Sequence, residues 1–206
     1  MRLSRQSGVF MHVTSLPGPH GIGDLGRSAR TFLDWLAEQS MWQFCPLGPT
    51  SPAHANSPYQ SSSSFAGNPL LVDLTDLVDR GLLTSEDLEP VPDFDDHAVD
   101  HGRVGEYKRS RLRTAFERFE SEASPDARAD FDAFRERESS WLADYALYAA
   151  LKDEYEVAWV DWPEGLKTRD PDALERAREE HAAEIRYREF VQFCFDDQWR
   201  ALAEYA

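Results

Sequence analysis

The chain has 206 residues, 41% of them hydrophobic, enough for one sizeable core or two small ones and too apolar for a chain disordered by composition. Its formal net charge is −16, from 22 Lys and Arg against 38 Asp and Glu; this argues against nucleic acid or an anionic membrane surface as partner, since both need clustered basic residues. No run approaches the ~20 consecutive apolar residues of a membrane span. The apolar run after Arg2 and Arg5 is too short for a secretory leader and is broken by His12 and Thr14, so the expected location is the cytoplasm.

Lys stands only at 108, 152 and 167, Arg supplies the other basic residues, and Asp is spread along the chain. That resembles the surface of a salt-adapted protein, in which concentrated salt screens the self-repulsion; the alternative is an ordinary acidic cytosolic protein. Cys45 and Cys194 sit in apolar surroundings with no metal-ligand spacing and read as buried small hydrophobes rather than a disulfide.

Ser7 to Thr14 reads as a first strand, stopped by Ser15-Leu16-Pro17-Gly18-Pro19. Gly21, Gly23 and Gly26 then match a phosphate-cradling loop by letter, but the prolines ahead of them are foreign to a dinucleotide turn and no P-loop lysine follows. Ala29, Phe32, Leu33 and Leu36 recur at helical spacing and predict a helix from Arg27 to Gln39. Trp42 to Leu47 is the second strand. Strand, helix, strand with short joints is a βαβ unit and implies a parallel pair.

The second strand opens into a long segment dense in Pro, Gly, Ser and Asn. Pro46, Pro49, Pro52 and Pro58 restrict its shapes, and Ser57, Tyr59 and Gln60 place an aromatic ring among hydrogen-bonding side chains. It reads either as a ligand platform or as an ordered loop whose tyrosine packs back on its own prolines.

Beyond it, Leu70 to Asp73 suggests a short extended piece. Asp73 to Asp79 suggests a helical turn or two closed by Gly81, and Thr84 with Asp87 suggests a capping box. Glu89 to Gly105 is loop-like, and Val104 to Phe119 is helical. Ser124-Pro125 caps a helix carrying Phe131, Phe134, Trp141, Tyr145 and Tyr148 on one side. Residues 161–165 break it, Asp170-Pro171 repeats the cap signal, and a last helix carries Val191, Cys194, Phe195, Trp199 and Leu202. These aromatic stripes are helix core. Two strands do not stand alone and the second keeps an unpaired edge, so the chain reads as the opening portion of a larger α/β barrel or open sheet.

The stretches S-G-V-F-M-H-V-T-S-L-P-G-P-H-G-I-G-D-L-G (Ser7 to Gly26), W-Q-F-C-P-L-G-P-T (Trp42 to Thr50) and S-P-Y-Q-S-S-S-S-F-A-G-N-P-L-L-V-D-L (Ser57 to Leu74) resemble the amylomaltases, or 4-α-glucanotransferases. Trp141 to Lys152 and Phe193 to Trp199 are similar to that family's helical insertion. The resemblance implies an α/β fold, the first two parallel strands of a (β/α)8 TIM-type barrel with a large helical insertion and helix-rich overall. Residues 1–75 would start the barrel, with a substrate loop at 48–68, and residues 76–206 would form the insertion leading back to it.

It also implies transfer of α-1,4-glucan segments between maltodextrin or starch oligosaccharides with retention. Two carboxyl groups do this, one as nucleophile and one as acid then base, while a third carboxylate stabilises the distorted sugar; no metal or organic cofactor is needed. In the family these carboxylates lie on later strands, and Asp24, Asp73, Asp76 and Glu106 do not match them, so no catalytic residue is assigned in this chain and the missing C-terminal part of the barrel is an expected partner. By the same resemblance Tyr59 lines or stacks on the sugar at the cleavage site and Ser57 hydrogen-bonds a neighbouring glucose. His12, Gln60 and Asn68 are further binding candidates that would hold the loop in place. Asn56 stands where the family commonly has Asp, Ser62 and Ser64 where it has Phe and Ala, and Cys45 where it has a larger aliphatic residue. Two other readings remain: a hydrolase of the α-amylase class, and a non-catalytic carbohydrate-binding piece of a split gene.

Overall fold

A computed structural model describes residues 7–37 and 41–206, helix-rich with two parallel strands. Contacts divide the chain into two compact units, residues 1–122 with 194–206, and residues 123–193.

In the first unit β1 (Val9–Phe10) pairs in parallel with β2 (Trp42–Gln43), Val9 opposite Trp42 and Phe10 opposite Gln43. Helix α1 (Arg27–Leu36) lies between them in sequence, completing the βαβ unit; residues 38 and 39, where the sequence predicted its last turn, lie outside the described residues. Both strands are shorter than the apolar runs suggest. The ladder gives out where His12 turns the chain. Its Nδ1 accepts the Thr14 N–H at 3.3 Å and opens a 3-10 turn over Val13–Ser15, so a local side-chain bond replaces strand pairing. Beyond Gln43, Pro46 has no N–H to donate.

Rings lock this start together. Phe32 of α1 meets Trp42 edge-on at 4.8 Å, Trp42 meets Phe44 at 5.4 Å, and Phe44 meets Trp199 at 5.8 Å. The Trp42 indole also donates to the Met11 carbonyl at 2.8 Å, tying the strands by a side chain where the ladder has ended.

The glycines before α1 serve packing, not a phosphate. A Cβ on Gly23 would lie 2.1 Å from the Val13 carbonyl oxygen, and one on Gly26 2.2 Å from a carboxylate oxygen of Asp73. Of Leu70 to Asp73, Val72 and Asp73 are extended, while Leu70 and Leu71 lie in the 3-10 turn Pro69–Leu71 capped by Asn68. Helix α2 (Leu74–Asp79) begins at Asp73, whose side chain accepts the Thr75 N–H at 2.8 Å, and ends at Gly81 with φ +71°. Thr84 and Asp87 exchange the reciprocal bonds of a capping box, at 2.7 and 3.2 Å, around a 3-10 turn (Glu86–Leu88).

Helix α3 (His101–Glu122) starts earlier than its apolar pattern indicates, since Asp100 accepts the Arg103 N–H at 3.1 Å. It buries Val104, Tyr107, Lys108, Leu112, Ala115 and Phe119 on one stripe. Lys108 is fully buried: its Nζ donates to Asp24 at 3.1 Å and to the carbonyls of Leu70 and Val72 at 2.8 Å each. Near the end of the chain Gln198 accepts the Asp73 N–H at 2.8 Å and donates to Asp76 at 2.8 Å.

The second unit is helical. The single helix expected from Ser124-Pro125 through Tyr148 is two, α4 (Pro125–Arg137) and α5 (Leu142–Tyr155). Glu138 causes the break: it caps α4 and turns its carboxylate to the Trp141 indole N–H at 2.8 Å. Helices α6 (Glu164–Lys167) and α7 (Pro171–Glu180) follow. Helix α8 (Ala182–Tyr205) completes this unit and, from Cys194, belongs to the first. Phe131 and Phe134 pack on Phe193 at 5.5 and 5.6 Å. A second cluster joins Leu147, Leu151, Trp162, Leu174 and Ala177. Cys45 and Cys194 are both free and buried.

Candidate functional site

The loop after β2 is closed at its base. The Asn68 N–H donates to the Leu47 carbonyl at 2.7 Å, joining the ends of residues 48–68. The Asn68 side chain accepts the Leu70 N–H at 3.0 Å and donates to Thr50 at 3.3 Å. Inside the loop, Ser51 caps the 3-10 turn Pro52–His54 through the Ala53 N–H at 3.3 Å. Ala55 and Asn56 then take left-handed conformations, φ 51° and 52°. Asn is among the few residues that visit this region readily, which suits Asn56 to its place. Ser63 accepts the N–H groups of Phe65 and Ala66 at 3.1 and 3.0 Å. Serines and asparagines thus satisfy the backbone of a segment with no helix or sheet to do so.

Two rings stand out from this scaffold, Tyr59 at 73% and Phe65 at 72% exposed. Tyr59 is therefore not folded back under the prolines. Its N–H donates to Ser57 Oγ at 3.4 Å, and the Gln60 N–H closes the turn on the Ser57 carbonyl at 3.1 Å. Its hydroxyl oxygen accepts from the Cys45 thiol at 3.2 Å. The hydrogen bond with Cys45 raises the phenol pKa above its ordinary value, and the repulsion between an ionised thiol and a phenolate adds to it. A stacking face in solvent with its far end tethered can receive the apolar face of a sugar ring.

The five candidate residues take different places. Tyr59 and Gln60 are exposed and Ser57 is half-buried, all on one turn. Asn68 is 3% exposed and bonds within the loop base. His12 is tied to its own turn and to the segment after β2: Nδ1 faces Thr14 Oγ1 at 2.7 Å and Nε2 faces the Pro46 carbonyl at 3.4 Å. The carbonyl demands a proton on Nε2, so Nδ1 is the acceptor and the ring is neutral. Burial lowers its pKa, partly offset by that carbonyl. Phe65 and Cys45 were not among the candidates. Nothing local marks either one, since the thiol meets the phenol across a 14-residue separation.

A cleft of about 650 Å³ in the same unit lies over the N-terminal ends of α1 and α2, lined by Asp24, Asp34, Asp73 and Asp76 among others. These four carboxylates are engaged in holding the fold. Asp24 pairs with Lys108, Asp73 caps α2, Asp76 pairs with Arg80 at 2.7 Å, and Asp34 accepts the Tyr205 hydroxyl at 2.6 Å. Burial and neighbouring Asp24 raise the Asp73 pKa. Glu106 is exposed on α3. Among the described residues no group of three or more His, Cys, Asp and Glu could hold a metal ion, and no helix is long and apolar enough to cross a membrane.

A parallel βαβ start whose second strand leads into a closed polar loop, with an aromatic ring lifted into solvent, defines a helix-rich α/β protein. Residues 11–206 match the family model described as 4-alpha-glucanotransferase, and the chain belongs to that family. It is 46% identical to the 4-alpha-glucanotransferase of Thermus thermophilus over 98% of its own length and 40% of the relative's. Against that of Aquifex aeolicus it is 42% identical, with the same coverage of 98% and 40%. Among solved structures it is similar to the amylomaltase from Streptococcus agalactiae in complex with acarbose, with a TM-score of 0.91, 36% identity, and coverage of 98% of this chain and 41% of that one. The chain thus spans about 40% of the length of the curated relatives it matches.

Proposed function

We propose that this chain is the glucan-binding opening portion of a retaining 4-α-glucanotransferase that acts on maltodextrin or starch oligosaccharides. The observation that carries the reading is Tyr59, 73% exposed on a loop closed at its base, in a chain that belongs to this family. In it residues 1–75 begin a TIM-type barrel, residues 76–206 carry the helical insertion, and the protein works in the cytoplasm. Tyr59 stacks on the sugar, Ser57 and Gln60 meet neighbouring hydroxyls, and His12 and Asn68 hold the loop to the strand ends.

Retaining transfer needs a nucleophilic carboxylate and a separate carboxylic acid flanking the scissile bond. Asp24, Asp73 and Asp76 are committed to Lys108, to the α2 cap and to Arg80. That supports placing the catalytic pair in the part of the relatives this chain does not span. The chain by itself then binds glucan without turning it over, and the remaining part of the barrel, added in trans, supplies the carboxylates.

The test is titration with acarbose and a maltotriose disproportionation assay in molar potassium chloride, products resolved by length. Acarbose binds the 206-residue chain, Tyr59→Ala weakens it at least tenfold without changing the thermal midpoint, and glucose with longer maltodextrins appears only when the remainder is supplied. Unchanged affinity in Tyr59→Ala removes Tyr59 from the site. Turnover by the chain alone places a nucleophile among its own carboxylates.

A further inference from the structure

We propose that Cys45 is a positioning residue for Tyr59: its thiol donates to the phenol oxygen and turns the tyrosine's own O–H outward, as donor to a sugar hydroxyl. The proposal rests on the reading that Tyr59 meets glucan. Cys45 is 9% exposed and follows β2, on the strand side of the loop base that Leu47 and Asn68 close. Its Sγ lies 3.2 Å from the Tyr59 oxygen, while the Tyr59 ring is 73% exposed. The contact therefore anchors the far end of a ring that solvent otherwise surrounds.

The phenol oxygen has one proton to give and lone pairs to receive with. Conjugation keeps the O–H near the ring plane, which leaves it two directions. A donor on one side fills the lone pair there and sends the O–H to the other. With Cys45 on the protein side, the remaining direction faces solvent. The tyrosine then offers a bound sugar both an apolar face and a directed donor, and loses no rotor freedom on binding. A thiol is a weak donor, so the effect is a tuning of affinity rather than an on–off switch.

The test is a double-mutant cycle on the 206-residue chain, with acarbose as the probe and calorimetry in molar potassium chloride as the readout. Cys45→Val weakens acarbose about threefold to tenfold, the range of one modest hydrogen bond. Cys45→Ser, which keeps a donor at the same place, stays within about twofold of wild type. In a Tyr59→Phe background Cys45→Val has no further effect. Cys45→Ala carries the same comparison if Val disturbs the fold. The proposal is overturned if Cys45→Val binds acarbose like wild type, or weakens it equally with and without the Tyr59 hydroxyl, which would make Cys45 a packing residue. If Tyr59→Ala binds acarbose like wild type, or wild type does not bind it, the reading of the site fails and the proposal falls with it.

Discussion

His20 is held neutral by what surrounds it. Its ring is 3% exposed and stacks on Tyr107 at 5.6 Å, and its Nδ1 is buried with no hydrogen-bond partner among the described residues. Burial lowers its pKa to about 4, Lys108 and Arg111 add to the effect, and Asp73 opposes it. As pH falls below the ordinary 6.5, the unfolded chain takes a proton that the folded chain refuses until about 4. Stability from this residue is therefore complete above pH 6.5 and lost on acidification from 6.5 to 4. The shift corresponds to about 3 kcal/mol when the loss is complete. His12, lowered in the same direction, bends the wild-type curve further. Urea unfolding of wild type and His20→Gln at pH 7 and pH 5 separates the two: the wild-type advantage at pH 7 shrinks by at least 1 kcal/mol at pH 5. An advantage independent of pH would show that His20 titrates normally in the folded chain.

Side-chain-capped helix starts were legible in the sequence and strand ends were not, for a physical reason. A cap is a local bond, so Ser124-Pro125 and Asp170-Pro171 announce themselves, and each capping side chain accepts a first-turn N–H, from Ala127 at 3.2 Å and Ala173 at 2.9 Å. Asp73 with Gly81 and Thr84 with Asp87 were readable on the same grounds. Strand length depends on a partner distant in sequence, and the apolar runs Ser7–Thr14 and Trp42–Leu47 continue past the two residue pairs that form the ladder. The break between α4 and α5 was hidden because the apolar stripe runs on through it, while the cause is one carboxylate reaching an indole. At the site the tyrosine was visible from its motif, but its thiol contact was not. Ser124→Ala and Asp170→Ala each remove one cap and lower stability by about 1 kcal/mol. The midpoint of urea unfolding by far-ultraviolet circular dichroism checks this, and Asp versions of Ser124 and Ser versions of Asp170 restore most of it. Equal stability of the Ala variants would mean that the first turns of α4 and α7 are held by packing alone.

The molecule as a whole carries a net charge of −16, and little of it is neutralised deep inside. Of the three lysines, Lys108 is fully buried against Asp24 and adds nothing to the surface, while Lys167 is spent on Glu164 at 2.7 Å. Exposed pairs such as Arg169 with Asp144, at 2.6 Å, are worth at most about 1 kcal/mol each and are weakened by salt. Salt therefore acts in two opposed ways, loosening those pairs and screening the repulsion among the excess carboxylates. The excess decides the sign. With 38 acidic against 22 basic side chains, repulsion acts among many unmatched charges at separations beyond contact. At 0.1 M salt the screening length is about 10 Å and such pairs still interact; at 1 M it is about 3 Å and they do not. The thermal midpoint is expected to rise by several degrees between 0.1 and 1 M potassium chloride and then to level off, since screening saturates. A continued linear rise to 3 M would instead indicate salt-strengthened apolar burial, and a fall would mean that the surface pairs outweigh the repulsion. The buried Lys108–Asp24 pair is out of reach of the salt, so substituting surface Asp130 by Asn and Glu175 by Gln, both in the second unit, should flatten the salt dependence while leaving the core intact.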